Sequence, residues 1–332
     1  MRYMKKHAII PIFIPNLGCP KNCVFCDQKT ITQRSDDVST LDAKKIIDEW
    51  LTTLSDIETV EVSFYGGSFT GIPLKKQIEF LELAKGYKDR GDIDKIHLST
   101  RPDYISKEIL DNLKKYSVDT VELGVQSFSE EVLKASGRGH EVCDIYEACD
   151  LIKSYGFELG IQLMIGLPKD TFETDIYSAN ETVKIQPKIA RIYPTVTLKD
   201  TELYKMYERE EYIPLTLEEQ VKRAKEMYKI LTKGNVNVIR MGLKSSEVMN
   251  DEMGFHPAFS SIVKGEIAKE IIEKDLSEGD YIVKSNSKSY GNIFGYEGKN
   301  RQYFKERYPK ALLSFEVDDS LNDEEYVVLK EN

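Results

Sequence analysis

The sequence predicts an α/β protein, with an open, partial (β/α) barrel over residues 1–242 and a small α+β appendage over residues 243–332. From residue 8 to about residue 242, short runs rich in β-branched residues alternate with amphipathic helical segments. This alternation is typical of parallel strands joined by right-handed crossovers. Polar or glycine-rich residues recur at the C-terminal ends of successive strands, where the active sites of such barrels lie. Past residue 243 the alternation stops.

The elements follow from these patterns in chain order. The predicted barrel strands are Ala8–Ile14, Thr59–Tyr65, Lys95–Ser99, Thr120–Gln126, Phe157–Ile165, Ile189–Val196 and Val236–Met241. The predicted helices between them are Leu41–Leu54, Lys75–Tyr87, Lys107–Tyr116, Glu141–Tyr155, Phe172–Ile185 and Leu217–Lys233. In the appendage we expect a helix at Phe259–Lys274, a basic helix at Arg301–Tyr308, and strands at Tyr281–Lys284, Asn292–Phe294, Leu312–Val317 and Tyr326–Leu329.

Composition and charge favour a cytoplasmic protein with no membrane segment. No apolar run approaches the roughly 20 residues that span a bilayer. The five cysteines are odd in number and three of them are clustered, which argues against a disulfide framework. The formal net charge of −10 disfavours a surface that tracks a phosphate backbone, because such binding depends on lysine and arginine. That charge leaves room only for a local basic patch.

Three cysteines, Cys19, Cys23 and Cys26, follow the first strand at Cys-x3-Cys-x2-Cys spacing. Thiolates are soft ligands that select iron–sulfur clusters, zinc or copper(I). In a cubane cluster three cysteines leave one iron without a protein ligand, so that iron is open to another molecule. A structural zinc site is the alternative, and it would need a fourth ligand, for which His7 is a candidate. The spacing alone leaves both interpretations open.

Six further motifs follow the cysteines. They are Phe64-Tyr65-Gly66-Gly67-Ser68-Phe69-Thr70, Ser99-Thr100-Arg101-Pro102-Asp103, Glu122-Leu123-Gly124-Val125-Gln126-Ser127, Arg138-Gly139-His140, Met164-Ile165-Gly166-Leu167-Pro168 and Arg191-Ile192-Tyr193-Pro194-Thr195. With the cysteine loop, they make the chain similar to the radical SAM superfamily. Over residues 8–260 it resembles the radical SAM half of the Elongator catalytic subunit and, more distantly, oxygen-independent coproporphyrinogen oxidase. Several motifs in one order are more specific than any single one.

The resemblance implies two cofactors and a set of residues that hold them. Cys19, Cys23 and Cys26 would ligate a [4Fe–4S] cluster, whose open iron binds the amino and carboxylate groups of S-adenosylmethionine. The residues that the resemblance assigns to S-adenosylmethionine are Phe25 near the adenine, Gly66, Gly67 and Ser68 at the methionyl amino group, Arg138 at the methionyl carboxylate, and Ser99, Gln126 and Gln162 at the ribose or methionyl part. The catalytic residues are unknown, and the substrate-side candidates are Tyr193, Arg240 and His256.

The implied activity is the generation of a 5′-deoxyadenosyl radical, with an external one-electron reductant as partner. We expect a small-molecule substrate, a modified nucleobase or related heterocycle, and lyase-type salvage of queuine is one instance. The Elongator-type protein carries an acetyltransferase domain, and the sequence predicts none in the roughly 90 residues after the barrel. We therefore do not expect this chain to carry out the complete reaction of the Elongator-type protein. The alternatives are a tRNA wobble-uridine modification enzyme that works with a partner, and an iron–sulfur or zinc protein with a structural or electron-transfer role.

Overall fold

The computed structural model describes residues 7–14, 19, 23–27, 38–243 and 253–331. Seven strands form one sheet in the order β1 to β7, and each strand pairs in parallel with its neighbours in the sequence. Their bounds are β1 His7–Ile14, β2 Thr59–Gly66, β3 Lys95–Thr100, β4 Thr120–Gln126, β5 Glu158–Ile165, β6 Ile189–Pro194 and β7 Asn237–Met241. This sheet is the predicted open (β/α) barrel, and the fold class is confirmed.

Helices follow the strands and cover the outer side of the sheet. In the barrel they are α1 Thr40–Leu51, α2 Leu74–Asp89, α3 Lys107–Lys115, α4 Glu130–Ala135, α5 Val142–Ser154, α6 Phe172–Ile185, α7 Glu202–Glu208 and α8 Leu217–Lys233. Side chains that accept a backbone N–H begin several of them, as Ser39 does for α1 and Ser106 for α3. The helices α4 and α7 were missed by the sequence prediction, because each has at most two turns and too few residues to show a period.

The two faces of the sheet differ in polarity. On β2, Val60, Val62 and Phe64 belong to the apolar core shared with the helices. Glu61, Ser63 and Tyr65 alternate with them and therefore face the concave inner side of the barrel. The central strand β4 is buried along its whole length, as expected for a parallel strand covered on both faces. The inner side is thus polar, and it is this face that carries the chemistry described below.

A second sheet of three strands, in the order β10-β8-β9, follows the barrel. Its elements are α9 Phe259–Glu273, β8 Gly279–Ser285, α10 Tyr290–Phe294, α11 Lys299–Arg307, β9 Ala311–Val317 and β10 Val327–Lys330. The sequence prediction of a strand at Asn292–Phe294 is wrong, because this segment is the end of a short helix that stops at Gly295, whose φ of +69° a glycine adopts easily. None of the helices described here is long and apolar enough to cross a bilayer.

Candidate active site

The cysteine loop is held against two helices by backbone hydrogen bonds. The Val24 N–H donates to the carbonyl of Ser136 (3.1 Å), which directly follows α4. The Leu203 N–H, in the first turn of α7, donates to the carbonyl of Val24 (2.7 Å). Within the loop, the Cys26 N–H donates to the carbonyl of Cys23 (3.0 Å). The short helices that were missed in the sequence therefore position the predicted metal-binding loop.

Two guanidinium groups face the Cys23 sulfur, which is buried. Arg138 Nη1 lies 3.4 Å from Cys23 Sγ and Arg101 Nη1 lies 4.0 Å from it. Arg101 is fixed in turn by both oxygens of Asp103 at 2.9 Å and by the carbonyl of Arg138 at 2.5 Å. The structure thus places two cations beside one of the three sulfurs that the resemblance assigns to the metal centre.

The three cysteines lie within electrostatic range of one another. Burial, followed by the negative charges of Cys23 and Cys19, raises the pKa of the Cys26 thiol to about 12. A metal centre would displace protons from such thiols on binding. In the part of the chain that the structure describes, no three His, Cys, Asp or Glu side chains are already arranged around a common point as ligands of a metal ion.

Glycine is required where the ends of β1 and β2 meet. Gly66 has a φ of +114°, and a Cβ at this position would lie 2.5 Å from the carbonyl oxygen of Ile14. The Gly67 N–H donates to the same oxygen at 3.2 Å. Gly66 is exposed and Gly67 is half-buried, so their backbone is open to a ligand beside the cysteine loop, while Ser68 is buried. The close approach to Ile14 therefore explains why position 66 is a glycine.

Gln126, Arg138 and Gly124 form a small polar recess at the end of β4. A Cβ on Gly124 would meet Gln126 Nε2 at 3.0 Å and Arg138 Nη2 at 3.4 Å. Gln126 has a φ of +70°, and both side chains are more than nine-tenths buried. Gln126 Oε1 and Arg138 Nε have no hydrogen-bond partner. Buried polar atoms are rarely left unpaired, so this recess has one acceptor and one donor ready for a bound molecule.

Taken together, these residues fit the implied cofactors. The Cys23 thiol faces cations, the glycine backbone is open, and the unpaired Gln126 and Arg138 atoms can receive an amino or hydroxyl group and a carboxylate. When bound, the cluster and S-adenosylmethionine supply one-electron reduction and a hydrogen-abstracting radical. The chain's own residues bind, orient and shield the cofactors. Phe25 lies half-buried in the loop between Cys23 and Cys26.

A buried ionic network fills the inner side of the barrel below this recess. Glu61 Oε1 lies 2.8 Å from His97 Nδ1, and His97 Nε2 lies 3.2 Å from Glu122 Oε2. Glu122 Oε1 accepts from Arg191 Nε at 2.7 Å. Arg191 also donates to the hydroxyl of Tyr65 at 2.6 Å. Glu61, His97, Glu122 and Arg191 are each at most 5% exposed, so water does not screen them.

The charges in the network set each other's pKa. Burial alone would lower the pKa of His97, but the carboxylates of Glu122 and Glu61 outweigh it and raise the pKa to about 9. Burial would raise the pKa of Glu122, but Arg191 and His97 hold it at about 2. At neutral pH the imidazole is therefore cationic and both carboxylates are ionised. Removing any one of these groups would leave a buried charge without its partner.

Ser99 and Gln162, which the resemblance assigns to S-adenosylmethionine, join this network. Ser99 Oγ donates to Glu122 Oε2 at 3.0 Å, and Gln162 Nε2 donates to Ser99 Oγ at 3.2 Å. Ser99 is buried and Gln162 is half-buried. The Ser99 hydroxyl hydrogen is therefore occupied by the carboxylate.

The three substrate-side candidates do not all come together. The Tyr193 hydroxyl accepts from Arg191 Nη1 at 3.4 Å, and Arg240 is the Cα partner of Arg191 in the strand register. Burial raises the pKa of Tyr193, and Arg191 and Arg240 oppose that effect. His256 accepts from the Ala258 N–H at 3.1 Å, and its ring meets the edge of Tyr296 at 5.2 Å. Tyr193 and Arg240 thus share a wall, and the described contacts of His256 are with the appendage.

The sequence analysis did not identify Glu122, Glu61 or Arg101 as site residues. The available signal was polarity at every second position of otherwise apolar strands, as in Glu61-Val62-Ser63 and Ile96-His97-Leu98-Ser99. That period indicates a polar inner face. It cannot indicate which carboxylate pairs with which cation, because the pairing depends on the register between strands that are far apart in sequence.

Comparison with protein-family models shows to which family the chain belongs. A model described as the Radical SAM superfamily matches residues 13–178, half of the chain. The chain belongs to the radical SAM superfamily. A model described as the radical SAM C-terminal domain matches residues 187–269. Radical SAM enzymes use a [4Fe–4S] cluster and S-adenosylmethionine, so the predicted class of enzyme and its two cofactors are confirmed.

Similar proteins agree with the resemblance seen in the motifs. A tRNA uridine(34) acetyltransferase from Methanocaldococcus infernus is 37% identical over 127 residues, which are 37% of this radical SAM chain and 24% of that protein. Elongator complex protein 3 from Saccharomyces cerevisiae is 30% identical over 176 residues, 47% of this chain and 32% of that protein. An uncharacterised protein from Methanocaldococcus jannaschii is 30% identical over 225 residues, 64% of this chain and 68% of that protein. The chain thus spans a third or less of the named enzymes.

Among solved structures, the archaeal Methanocaldococcus infernus Elp3 with an N-terminal deletion is similar, with a TM-score of 0.62 at 22% identity. The match covers 81% of this chain and 64% of that chain. Methylornithine synthase matches with a TM-score of 0.51 at 14% identity over 74% of this chain and 77% of that chain. At these identities the likeness concerns the fold, and it agrees with the open barrel of parallel strands.

Proposed function

We propose that this radical SAM enzyme removes a hydrogen atom from a small nucleobase-like heterocycle bound at the C-terminal ends of β2, β6 and β7. The observation that carries the proposal is a set of flat groups on the inner wall. The Arg191 guanidinium carbon lies 5.1 Å from the centroid of the Tyr65 ring, and that ring lies 5.9 Å from the ring of Phe13. Tyr65, Phe13 and Tyr193 are half-buried, so each keeps some surface open. Aromatic and guanidinium planes bind heterocycles by stacking.

The overall charge supports a small substrate. At a formal net charge of −10, a polyanion would be repelled over most of the surface, whereas a single heterocycle needs only a fitted cleft. Breakage of a carbon–carbon or carbon–nitrogen bond, as in lyase-type salvage of queuine, is the reaction that we propose to test first. The clustered, odd-numbered cysteines support a reducing, cytoplasmic setting and an external one-electron reductant as partner.

We propose the following roles for the site residues. Cys19, Cys23 and Cys26 bind the cluster, and Phe25, Gly66, Gly67, Ser68, Ser99, Gln126, Arg138 and Gln162 hold S-adenosylmethionine. The unpaired Nε of Arg138 supports its role at the methionyl carboxylate, and the unpaired oxygen of Gln126 supports its role at a hydroxyl or amino group. We also propose the division of the chain at residues 242 and 243, which is supported by the end of the large sheet at Met241.

A second candidate function is modification of the wobble uridine of tRNA, with a partner that supplies the acyl donor or the RNA contacts. The names of several relatives favour it, since they are tRNA uridine(34) acetyltransferases and Elongator proteins. It would require a basic surface beside the site, and binding that weakens steeply with salt.

Turnover assays separate the two candidates. The chain is reconstituted without oxygen and supplied with S-adenosylmethionine, dithionite and either a panel of free nucleobases, including queuine, or bulk tRNA. We expect a free base to stimulate 5′-deoxyadenosine formation and to be consumed, and a Cys23→Ala variant to be inactive. Stimulation by tRNA and by none of the free bases would overturn the small-molecule proposal in favour of the second candidate.

A further inference from the structure

At the centre of the inner wall of the barrel, the cationic side chains outnumber the carboxylates by one. Glu61 and Glu122 contact the cationic His97, and Glu122 also contacts Arg191. Two carboxylates and two cations cancel within this buried network. Arg240, on the neighbouring strand β7, adds a third cation that the network does not balance.

The contacts of Arg240 leave most of its guanidinium open. Its Nε donates to the carbonyl of Gly242 at 3.0 Å, so both terminal amino groups remain. Within the described ranges no carboxylate lies at ion-pair distance from it. The side chain is half-buried, and its charge acts on the Tyr193 hydroxyl. Among the described residues this guanidinium therefore keeps its charge and two terminal amino groups available for a partner that arrives from outside.

Arg191 is less suited to that role, because its charge is paired with Glu122 and each of its three nitrogens already has a partner. Its Nε binds Glu122, one terminal nitrogen binds the Tyr65 hydroxyl and the other reaches the Tyr193 hydroxyl at 3.4 Å. Glu122 fixes Arg191, and Arg191 in turn fixes the two tyrosines. The register places Arg240 opposite Arg191, next to this rigid group. Arg240 is thus an open cation beside a set of side chains that hydrogen bonds hold together.

We propose that Arg240, together with the Tyr193 hydroxyl, forms a subsite for an anionic group of the substrate, a carboxylate or a phosphate. The inference rests on the proposed function, since it places the substrate in the same cleft. The planar fork of arginine donors matches both anions, and a phenol hydroxyl adds one more donor. The substrate class that follows is a nucleobase-like heterocycle bearing one acidic substituent, a narrower class than that of the proposed function and one that does not include free queuine.

A purely structural role makes a different prediction. If Arg240 only ties the end of β7 to Gly242, its Nε is the functional atom. Arg240→Lys and Arg240→Gln both lose that atom and would then behave alike. If the charge binds an anion, Arg240→Lys keeps the charge and part of the binding, whereas Arg240→Gln loses both.

The test compares acids with their neutral amides. Nicotinate and nicotinamide, and benzoate and benzamide, are titrated into the anaerobically reconstituted full chain and followed by ligand-observed NMR at low salt. We expect wild type to bind each acid about tenfold more tightly than its amide. The preference should fall below about twofold in Arg240→Gln, persist in part in Arg240→Lys and be unchanged in the control Arg301→Gln, whose side chain is exposed on α11.

Each outcome decides a point. Displacement of nicotinate by inorganic phosphate assigns the subsite to phosphate-bearing substrates, and its absence assigns it to carboxylates. Equal binding of acid and amide by wild type, no binding of either acid, or a preference that survives in Arg240→Gln overturns the inference. Because the assay needs no turnover, an acid preference combined with turnover of tRNA alone would keep the subsite and overturn the small-molecule function. Equal binding of acid and amide, combined with turnover of a free base, would keep the small-molecule function and overturn the subsite.

Discussion

His97 is the cation that joins the two carboxylates at the centre of the barrel, and replacing it by glutamine tests that arrangement. The folded protein holds the imidazole between Glu61 at 2.8 Å and Glu122 at 3.2 Å, with the Tyr65 ring in a T-shaped contact and Arg191 beyond Glu122. His97 is 1% exposed, so its charge is paired by these groups and not by solvent. His97→Gln keeps the approximate size and a donor while it removes the charge.

The magnitude follows from the pKa of His97. It is about 9 in the folded protein against an ordinary value of 6.5, and one pKa unit corresponds to about 1.36 kcal/mol. Protonation of His97 therefore contributes about 3 kcal/mol to the free energy of unfolding. Because the folded pKa is raised, this contribution is fully present below pH 6.5 and is lost as the pH rises through about 9. The variant should lose this dependence and be destabilised at pH 7 by about 3–5 kcal/mol, the range for breaking a buried ion pair.

The assay is an NMR titration of protein labelled at the histidine rings. The chain has four histidines, so the signals are few. One signal should titrate near pH 9 and be missing from His97→Gln. In urea unfolding, wild type should lose more stability between pH 6 and pH 9 than the variant does. Comparing the two proteins cancels the contribution of other groups that titrate in this range, such as Asp175, whose burial raises its pKa to about 9. If every histidine signal titrates below pH 7.5, the ionic network as described is refuted.

Three further predictions concern the cofactor side of the site. Gly66→Ala places a Cβ 2.5 Å from the Ile14 carbonyl oxygen at a φ of +114°, and it should lower the free energy of unfolding in urea by at least about 2 kcal/mol. The control Gly291→Ala, whose Cβ would meet nothing within 4 Å, should be neutral or stabilising. Equal effects of the two substitutions would contradict the close approach at Gly66. Arg101→Gln should lower the midpoint potential of the cluster in an EPR redox titration, because it removes a cation 4.0 Å from Cys23 Sγ. Arg101→Lys keeps the charge and should show a smaller decrease. An unchanged potential in Arg101→Gln would count against this contact. Gln126→Leu should weaken binding of S-adenosylmethionine about tenfold in calorimetry, and unchanged affinity would remove Gln126 from the cofactor site.

The strands and helices of the barrel could be predicted because each is a local pattern. The bounds of β4 and α6 agree with the sequence prediction to the residue, since each has a clear period and clear ends. The appendage was harder, and the strand expected at Asn292–Phe294 is the end of a short helix that stops at Gly295. A segment of three residues is too short for its pattern to distinguish a strand from a helical turn.

The cofactor residues could be proposed from motifs, but the ionic network could not. Cys19, Cys23 and Cys26 have a spacing that indicates a metal-binding loop, and Gly66-Gly67 follows a predicted strand. The contact of Glu122 with Arg191 joins residues 69 positions apart, and it exists because β4, β5 and β6 lie side by side in a particular register. Single-sequence patterns give the face on which a residue lies, and they do not give its partner across the sheet.

The central claim is that three cysteine thiolates hold a [4Fe–4S] cluster whose remaining iron binds S-adenosylmethionine. The most direct measurement is the iron content and EPR spectrum of the anaerobically reconstituted, reduced chain with and without S-adenosylmethionine. The account predicts about four irons per chain, a spectrum that changes when S-adenosylmethionine is added, and loss of the signal in Cys26→Ala. A chain that instead retains one zinc ion through these thiols, or whose spectrum is indifferent to S-adenosylmethionine, would contradict it.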